Sequence, residues 1–385
     1  MQRASQQTWL TRAAYGGIFV FGIDMALLGA LLPLLSKCIH FDLSQAGALF
    51  LTMNFVMLVT MLCLGPLVDR FGKKPPLAGG SLLVALALGL LANAATYQAL
   101  LATAILLGAG GGALNSTTNT LIADLHTDPR RKNAALNLLG VFFGFGALFL
   151  PFTIGSLLEA LGLAPILYLA AGLSLALAAV FFALAFPPPK RAAGLPLDET
   201  LRLARHPLVL LFGFLLFFQS GNEFIVGGYT TSYLTRELGS SISSASYLLA
   251  AFWGATMLAR VFLSRLLLRI NGPRLVMLSA LGSALGMAVL LLAPTIEVAV
   301  LGVVLIGLGF AGIFPTALGL AGAHFEEHSG TVFGILFAIA LTGGMTLPWM
   351  VGQLAQAHGL RSALFLAPGN SLMIFALQWL IQRRR

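Results

Sequence analysis

Two carboxylates stand where a carboxylate is costly. Asp24 closes Phe21-Gly22-Ile23-Asp24 and Glu223 closes Gly221-Asn222-Glu223, each near the middle of a long apolar run. An ionisable group at the centre of a membrane-spanning helix costs roughly 2.5–3.5 kcal/mol on insertion scales, and it marks a functional site unless it is partnered or wetted. The chemistry open to it is to load and release a proton as its access to water changes sides. The competing reading is an acid permanently paired with a base or buried neutral. No Lys or Arg falls at similar depth in the first half of the chain, and Arg260 is the candidate partner in the second.

Amides and rings cluster near these acids. Asn115 and Asn119 share one helical face at i, i+4 spacing, and Gln219 and Asn222 precede Glu223. Each amide can donate and accept, which suits a hydroxyl-bearing substrate. The same groups also serve as glue between helices. Trp253 and Trp349 can offer flat apolar faces to a sugar ring, or simply pack. Asp24 and Glu223 are therefore the candidate proton-coupling residues. Asn115, Asn119, Gln219, Asn222, Trp253 and Trp349 are the candidate substrate-binding residues.

The elements that must hold these residues are membrane helices. Hydrophobic residues make up 58% of the 385, and only 9% are charged. A soluble domain carries roughly 25%, and mean hydropathy here is +0.93. The apolar runs are continuous rather than alternating, which argues for helices over a β-barrel. The 43 glycines would weaken soluble helices but let helices approach closely in a bilayer. The spacing predicts twelve spans, near 13–35, 44–67, 76–95, 98–124, 133–158, 163–186, 208–235, 243–266, 274–293, 295–322, 329–354 and 361–381. The longest polar interval, 187–207, separates a first bundle (1–186) from a second (208–385), and Leu197 to Arg205 within it can form a short surface helix.

The two halves repeat one another. Asp24 and Glu223 are 199 positions apart, as are Gly108 and Gly307, and Gly110 and Gly309. An offset of 197 carries Gly146, Pro151, Gly155 and Gly162 onto Gly343, Pro348, Gly352 and Gly359. The expected fold is all-α: twelve transmembrane helices in two pseudo-symmetric six-helix bundles, with a binding site at mid-membrane. Pro151 and Pro348 are expected to bend their helices.

Charge placement orients the chain. With the N-terminus inside, 18 of the 22 basic residues fall on cytoplasmic segments, and Lys37, Arg236 and Arg361 fall outside. The net charge of +9 therefore marks a membrane face rather than a nucleic-acid partner. Both termini are expected in the cytoplasm, and the N-terminal segment does not read as a cleaved signal peptide. Neither Cys38 and Cys63 nor the loop histidines show metal-ligand spacing, and Gly108 to Gly112 lacks the Lys-Ser or Lys-Thr of a nucleotide-binding loop. No metal, no cofactor and no enzymatic activity are expected. Asp124, at the end of its helix beside Arg130 to Lys132, is expected to form a cytoplasmic salt bridge.

One loop carries a mechanism of its own. In Gly65-Pro-Leu-Val-Asp69-Arg70-Phe-Gly72-Lys73-Lys74, Gly65 allows close helix contact, Asp69 can accept from a helix N-terminus or a basic side chain, and Gly72 permits a tight turn. Gly65, Asp69, Arg70 and Gly72 are the candidate gating residues, against the plainer reading of a basic turn. The segment resembles the G-x-L-a-D-R-x-G-R-K loop of the major facilitator superfamily, and the resemblance extends over the whole chain. Leu305 to Leu318, Gly221-Asn222-Glu223, Phe252-Trp253-Gly254 with Arg260, and Phe143 to Leu148 are similar to the fucose/glucose–proton symporter family. Phe21 to Asp24 resembles the Phe-Gly-Tyr-Asp of general sugar porters.

The departures are specific. Leu114-Asn115-Ser116 stands where the fucose/glucose family often has Leu-Glu-Thr, so the coupling carboxylate of that helix is missing, and Gly29 stands where some members have an acid. The helix-4 Arg of general sugar porters is absent. The resemblance implies a monomeric carrier in the inner membrane that imports a monosaccharide with a proton. A proton-coupled exporter of drugs or lipophilic metabolites, with a cavity lined by Phe142, Phe143, Phe145 and Phe149, is the first alternative. A non-transporting membrane receptor or scaffold is the second.

Overall fold

The computed structural model describes residues 2–126, 128–188, 197–266 and 270–383. They form helices and turns, with no strand among the described residues. Twelve helices are long and apolar enough to cross a membrane. The chain divides into two compact units, Met1–Phe41 with Thr52–Ala192, and Asp42–Leu51 with Ala193–Arg385.

The first unit holds α1 (Gln2–Ile39), α3 (Lys74–Ala92), α4 (Tyr97–Leu125), α5 (Pro129–Leu161), α6 (Leu163–Ala183) and most of α2 (Leu43–Phe71). The sequence places the start of α1 near 13, and the helix begins eleven residues earlier. Gln6 Nε2 donates to Ala185 O at 2.8 Å, and Gln7 Nε2 donates to Leu125 O at the end of α4. Gln7 thereby satisfies a carbonyl that the end of α4 leaves open, and Gln6 ties α1 to the segment after α6, so the polar lead of α1 is held as helix. Asp128 caps α5 from Arg131 N at 3.2 Å, with Pro129 at the first turn.

The second unit holds α7 (Leu197–Ala204), α8 (Pro207–Glu237), α9 (Ile242–Leu266), α10 (Gly272–Leu292), α11 (Ile296–His324), α12 (Ser329–His358), α13 (Leu360–Leu364) and α14 (Leu366–Arg383). The short helix α7 falls in the polar interval, where Glu199 contacts His328 Nε2 at 3.1 Å. The last predicted span is interrupted at Phe365. Pro368 is the cause: its ring opposes the carbonyl four residues back, at Leu364, and it has no N–H to donate.

The repeat in sequence is a repeat in packing. A methyl group built on Gly22 or Gly146 would overlap backbone across the α1–α5 crossing, at Phe143 O and Phe19 O respectively. In the second unit, one on Gly343 would overlap Phe217 O of α8, and one on Gly221 would overlap the Leu347 side chain of α12. Gly108 faces Met53 O of α2, and its repeat mate Gly307 faces Phe252 O of α9, where an added methyl would come within 2.7 Å. A methyl on Gly110 would come within 2.8 Å of Gly80 O of α3, and one on Gly309 within 2.7 Å of Ser283 N of α10. Gly162 and Gly359 end α5 and α12 at φ +75° and +83°, a region that favours glycine.

Polarity is inverted relative to a soluble protein. Leu62, Leu86, Phe262, Leu285 and Leu301 are more than half exposed, while Asp24, Asn54, Gln219, Asn222 and Gln378 are fully buried. Lipid is the solvent that such a surface matches.

The buried amides of the second unit include one closed network. Asn222 Nδ2 donates to Ala367 O and Ser371 Oγ, both at 3.0 Å, and Asn370 Nδ2 donates to Asn222 Oδ1 at 2.9 Å. Ser283 Oγ reaches Ser371 Oγ at 3.1 Å. The knot ties α8 to α14 and α10. Asn370→Leu strands the Asn222 oxygen in an apolar setting, which should cost about 1–3 kcal/mol. The measurement is the melting midpoint in detergent; no downward shift would show that the knot contributes nothing to stability.

Candidate functional site

In the first unit the site is built on α1 and α4. The glycines of α4 bring its backbone against three neighbours: Gly108 and Gly112 against α2, Gly110 against α3, and Gly111 against α1. Gly111 receives Asp24. A methyl on Gly111 would overlap Asp24 Oδ2 and come within 3.3 Å of Phe21 Cδ2. Asp24 is fully buried, and neither carboxyl oxygen has a hydrogen-bond partner among the described residues. An ionised carboxylate in such a place needs a counter-charge, a donor or water.

One turn further along α4, Asn115 is half-buried and Asn119 exposed. They bond to each other: Asn119 Nδ2 donates to Asn115 O at 2.8 Å and to Asn115 Oδ1 at 3.2 Å. Phe142, Phe143, Phe145 and Phe149 of α5 pair with α1. Tyr15 stacks on Phe142 at 4.9 Å, Phe21 lies 5.5 Å from Phe143, and Phe19 lies 5.4 and 5.6 Å from Phe145 and Phe149. These rings pair across the α1–α5 crossing, with Phe145 still 45% exposed.

In the second unit Glu223 does not repeat the setting of Asp24. The offset of 199 carries Gly111 onto Phe310, and that ring is buried against Phe252 at 6.0 Å. Glu223 instead reaches α9, where its Oε1 lies 3.9 Å from Arg260 Nη2. Gln219, one turn earlier, is fully buried with both amide atoms lacking a partner among the described residues. Asn222 is engaged in the knot described above. Trp253 is buried on α9, packed edge-on against Phe252 at 4.9 Å, and a methyl added to Gly227 would sit 3.4 Å from its ring. Trp349 lies on α12, 38% exposed, with its backbone against Gly47 in the second unit.

At the end of α2, Gly72 takes φ +80° and its N–H bonds Val68 O at 2.8 Å, the tight turn expected of it. Gly65 differs from expectation: a methyl there meets no atom within 4 Å among the described residues, because it lies on an exposed face of α2. Arg70 is exposed beside the Phe71 ring, and Asp69 sits in the last turn of α2. Lys73 of the same loop forms an ion pair with Asp124 at the end of α4. Gly111 and Arg260 are the two residues that sequence reasoning underweighted. In the sequence Gly111 stands out only as part of the run Gly108 to Gly112, and Arg260 only as a candidate partner of Glu223.

Known proteins agree with this architecture. The Major Facilitator Superfamily profile matches residues 14–220 and again 211–385. A glucose/galactose transporter of Brucella abortus is 26% identical over 372 residues, covering 91% of this chain and 88% of that protein. The multidrug resistance protein MdtG of Escherichia coli is 26% identical over 390 residues, covering 97% and 94%. Among solved structures, the nucleoside transporter NupG superposes with a TM-score of 0.80 at 16% identity, covering 98% and 99% of the two chains. The E. coli fucose:proton symporter FucP superposes with a TM-score of 0.67 at 18% identity, covering 96% and 98%. With a twelve-span helical fold and a profile matched once in each half, the chain belongs to the major facilitator superfamily.

Proposed function

We propose that this transporter carries a monosaccharide across the inner membrane together with a proton. The observation that carries the reading is Asp24: a carboxyl group buried in α1 against the bare backbone of Gly111, with no partner among the described residues. As a neutral acid it fits that place; to ionise it must meet water or a donor. A group that changes charge only when its surroundings change can couple proton movement to alternating access. Glu223, Gln219 and Arg260 are the cargo-recognition residues of the second unit, and Asn115 and Asn119 are the candidate cargo-recognition amides of the first. Asn222 serves the scaffold. The similarity to a glucose/galactose transporter supports a hexose cargo. The test is uptake of glucose, galactose and fucose into proteoliposomes with an imposed pH gradient, paired with thermal-shift screening. Absence of uptake and of stabilisation by every hexose rejects the sugar assignment.

A second reading, export of lipophilic compounds, is favoured by the full-length similarity to MdtG. Against it, each phenylalanine that would line a greasy cavity already pairs with a ring of α1. Stabilisation by lipophilic cations, with none by sugars, would choose it.

The reading extends to topology and gating. The bundles are taken as 1–186 and 208–385, joined by a cytoplasmic linker at 187–207, and the transporter acts as a monomer. Cys38 and Cys63 are both exposed. In a Cys63→Ser background, Cys38 should react with a membrane-impermeant maleimide on intact cells, because it lies at the outer end of α1. A cysteine placed at Arg202 in a background lacking both should react only after permeabilisation; the reverse pattern inverts the topology. Asp69→Asn should leave the protein folded and slow turnover by about tenfold, roughly 1.4 kcal/mol lost from one gating state. Wild-type turnover in that variant removes Asp69 from gating.

A further inference from the structure

The ion pair of the second unit is not closed. A charge-assisted N–H···O bond settles at about 2.7–2.9 Å, whereas Glu223 Oε1 and Arg260 Nη2 stand 3.9 Å apart. Charges inside a protein are tolerated when their remaining lone pairs and hydrogens are satisfied. Arg260 Nε is buried and has no hydrogen-bond partner among the described residues. Gln219 shares a face of α8 with Glu223 by i, i+4 spacing, and its two amide atoms are equally buried and unpartnered. The charged side chains themselves are not sealed: that of Glu223 is 17% exposed and that of Arg260 is 24% exposed. Unpartnered donors and acceptors beside an open, accessible ion pair are groups that a polar, hydroxyl-bearing molecule can satisfy.

We propose that Arg260 is a specificity-determining residue of the cargo site, and that the Glu223–Arg260 pair selects a neutral, hydroxyl-rich cargo over one that carries its own carboxylate. The inference rests on the monosaccharide reading above. A hydroxyl oxygen about 2.8 Å from each partner spans the gap side-on: it donates its hydrogen to the Glu223 carboxylate and accepts an N–H of Arg260. The two protein charges already cancel, so an anionic cargo meets Glu223 as a like charge and finds the guanidinium taken. Removing the Glu223 charge leaves Arg260 as an unpaired cation, and a cargo carboxylate becomes its replacement partner.

The experiment is counterflow of labelled hexose in proteoliposomes, using whichever of glucose or galactose exchanges faster. Competition by the unlabelled hexose is compared with competition by the corresponding uronate, which differs only in a carboxylate at C6. The wild type should prefer the hexose strongly. Glu223→Gln should narrow the preference by at least about tenfold, equivalent to about 1.4 kcal/mol, and Glu223→Gln with Arg260→Gln should abolish uronate competition again. If Glu223→Gln exchanges too slowly, the same ratio is read from ligand-dependent thermal stabilisation of the purified variant. If it does not fold, Glu223→Asp keeps the charge and should weaken hexose competition while still rejecting the uronate; acceptance of the uronate there overturns the proposal. A wild-type protein that exchanges hexose, with the same preference in Glu223→Gln, overturns this inference alone. A wild type that neither exchanges nor is stabilised by any hexose overturns the sugar reading and this inference with it.

Discussion

Asp24→Asn should abolish accumulation against a gradient while leaving exchange intact. With one proton per cargo, a gradient of one pH unit can support up to about tenfold accumulation, since a decade is worth about 1.4 kcal/mol. The amide has the shape of the neutral acid and occupies the same place against Gly111, so the cargo-loaded transporter still forms and counterflow persists. The amide cannot release a proton, so the gradient has nothing to act on and accumulation falls to onefold. Gly111→Ala supplies an independent arm. Its methyl would overlap Asp24 Oδ2, so the carboxyl must leave its position and coupling should be impaired without any change at Asp24. Gradient-driven accumulation that survives Asp24→Asn rejects the assignment. If it also survives Glu223→Gln and the double variant, carriage without proton coupling through these acids becomes the better account.

The other large effect lies in the paired helix crossings. Gly146→Leu in α5 and Gly343→Leu in α12 should each prevent recovery of folded protein. At both sites even a methyl would overlap a backbone carbonyl, Phe19 O and Phe217 O. Backbone cannot rotate away as a side chain does, so two helices must separate along their length. Such overpacking and loss of contact belong to the class of substitutions that cost more than about 4–5 kcal/mol. Gly65→Leu, on an exposed face of α2, is the control and should fold normally. Fluorescence-detected size exclusion of the three variants makes the comparison. A monodisperse Gly146→Leu or Gly343→Leu peak at wild-type yield would show that these crossings are looser than the packing implies.

Much of this was legible in the chain because a bilayer leaves few options. Continuous apolar runs can satisfy their backbone only as helices, so the number of spans and the short helix at Leu197–Ala204 follow from hydropathy and polar punctuation. The repeated glycines were legible for a related reason: a residue without a side chain, at the same offset in two halves, marks the same crossing twice. Helix ends were less legible where tertiary partners decide them. Nothing local in Gln6 or Gln7 announces that their amides reach the segment after α6 and the end of α4. The break at Phe365 was available from Pro368 but is easily outweighed by the apolar residues around it. Side-chain partners were the least legible. The offset of 199 makes Asp24 and Glu223 equivalent, but glycine at 111 against phenylalanine at 310 sends one acid to α4 and the other to α9. The paired asparagines show the same limit: composition cannot say that Asn222 binds Asn370 while Asn119 bonds back onto Asn115.

Asn222 and Glu223 are neighbours in α8 with opposite attachments, one fastened to α14 and the other facing α9. Successive residues of an α-helix point about 100° apart, so the knot behaves as an index pin that fixes the azimuth of α8. If the pin is removed, the helix can roll about its own axis, and a roll is felt first at the neighbouring carboxylate. Variants of Asn370 or Ser371, which contact Asn222 and not Glu223, would then alter which cargo is accepted as well as how firmly the bundle holds together. If Glu223 recognises cargo as proposed, discrimination among cargoes would then be a property of helix orientation, set from the far side of α8.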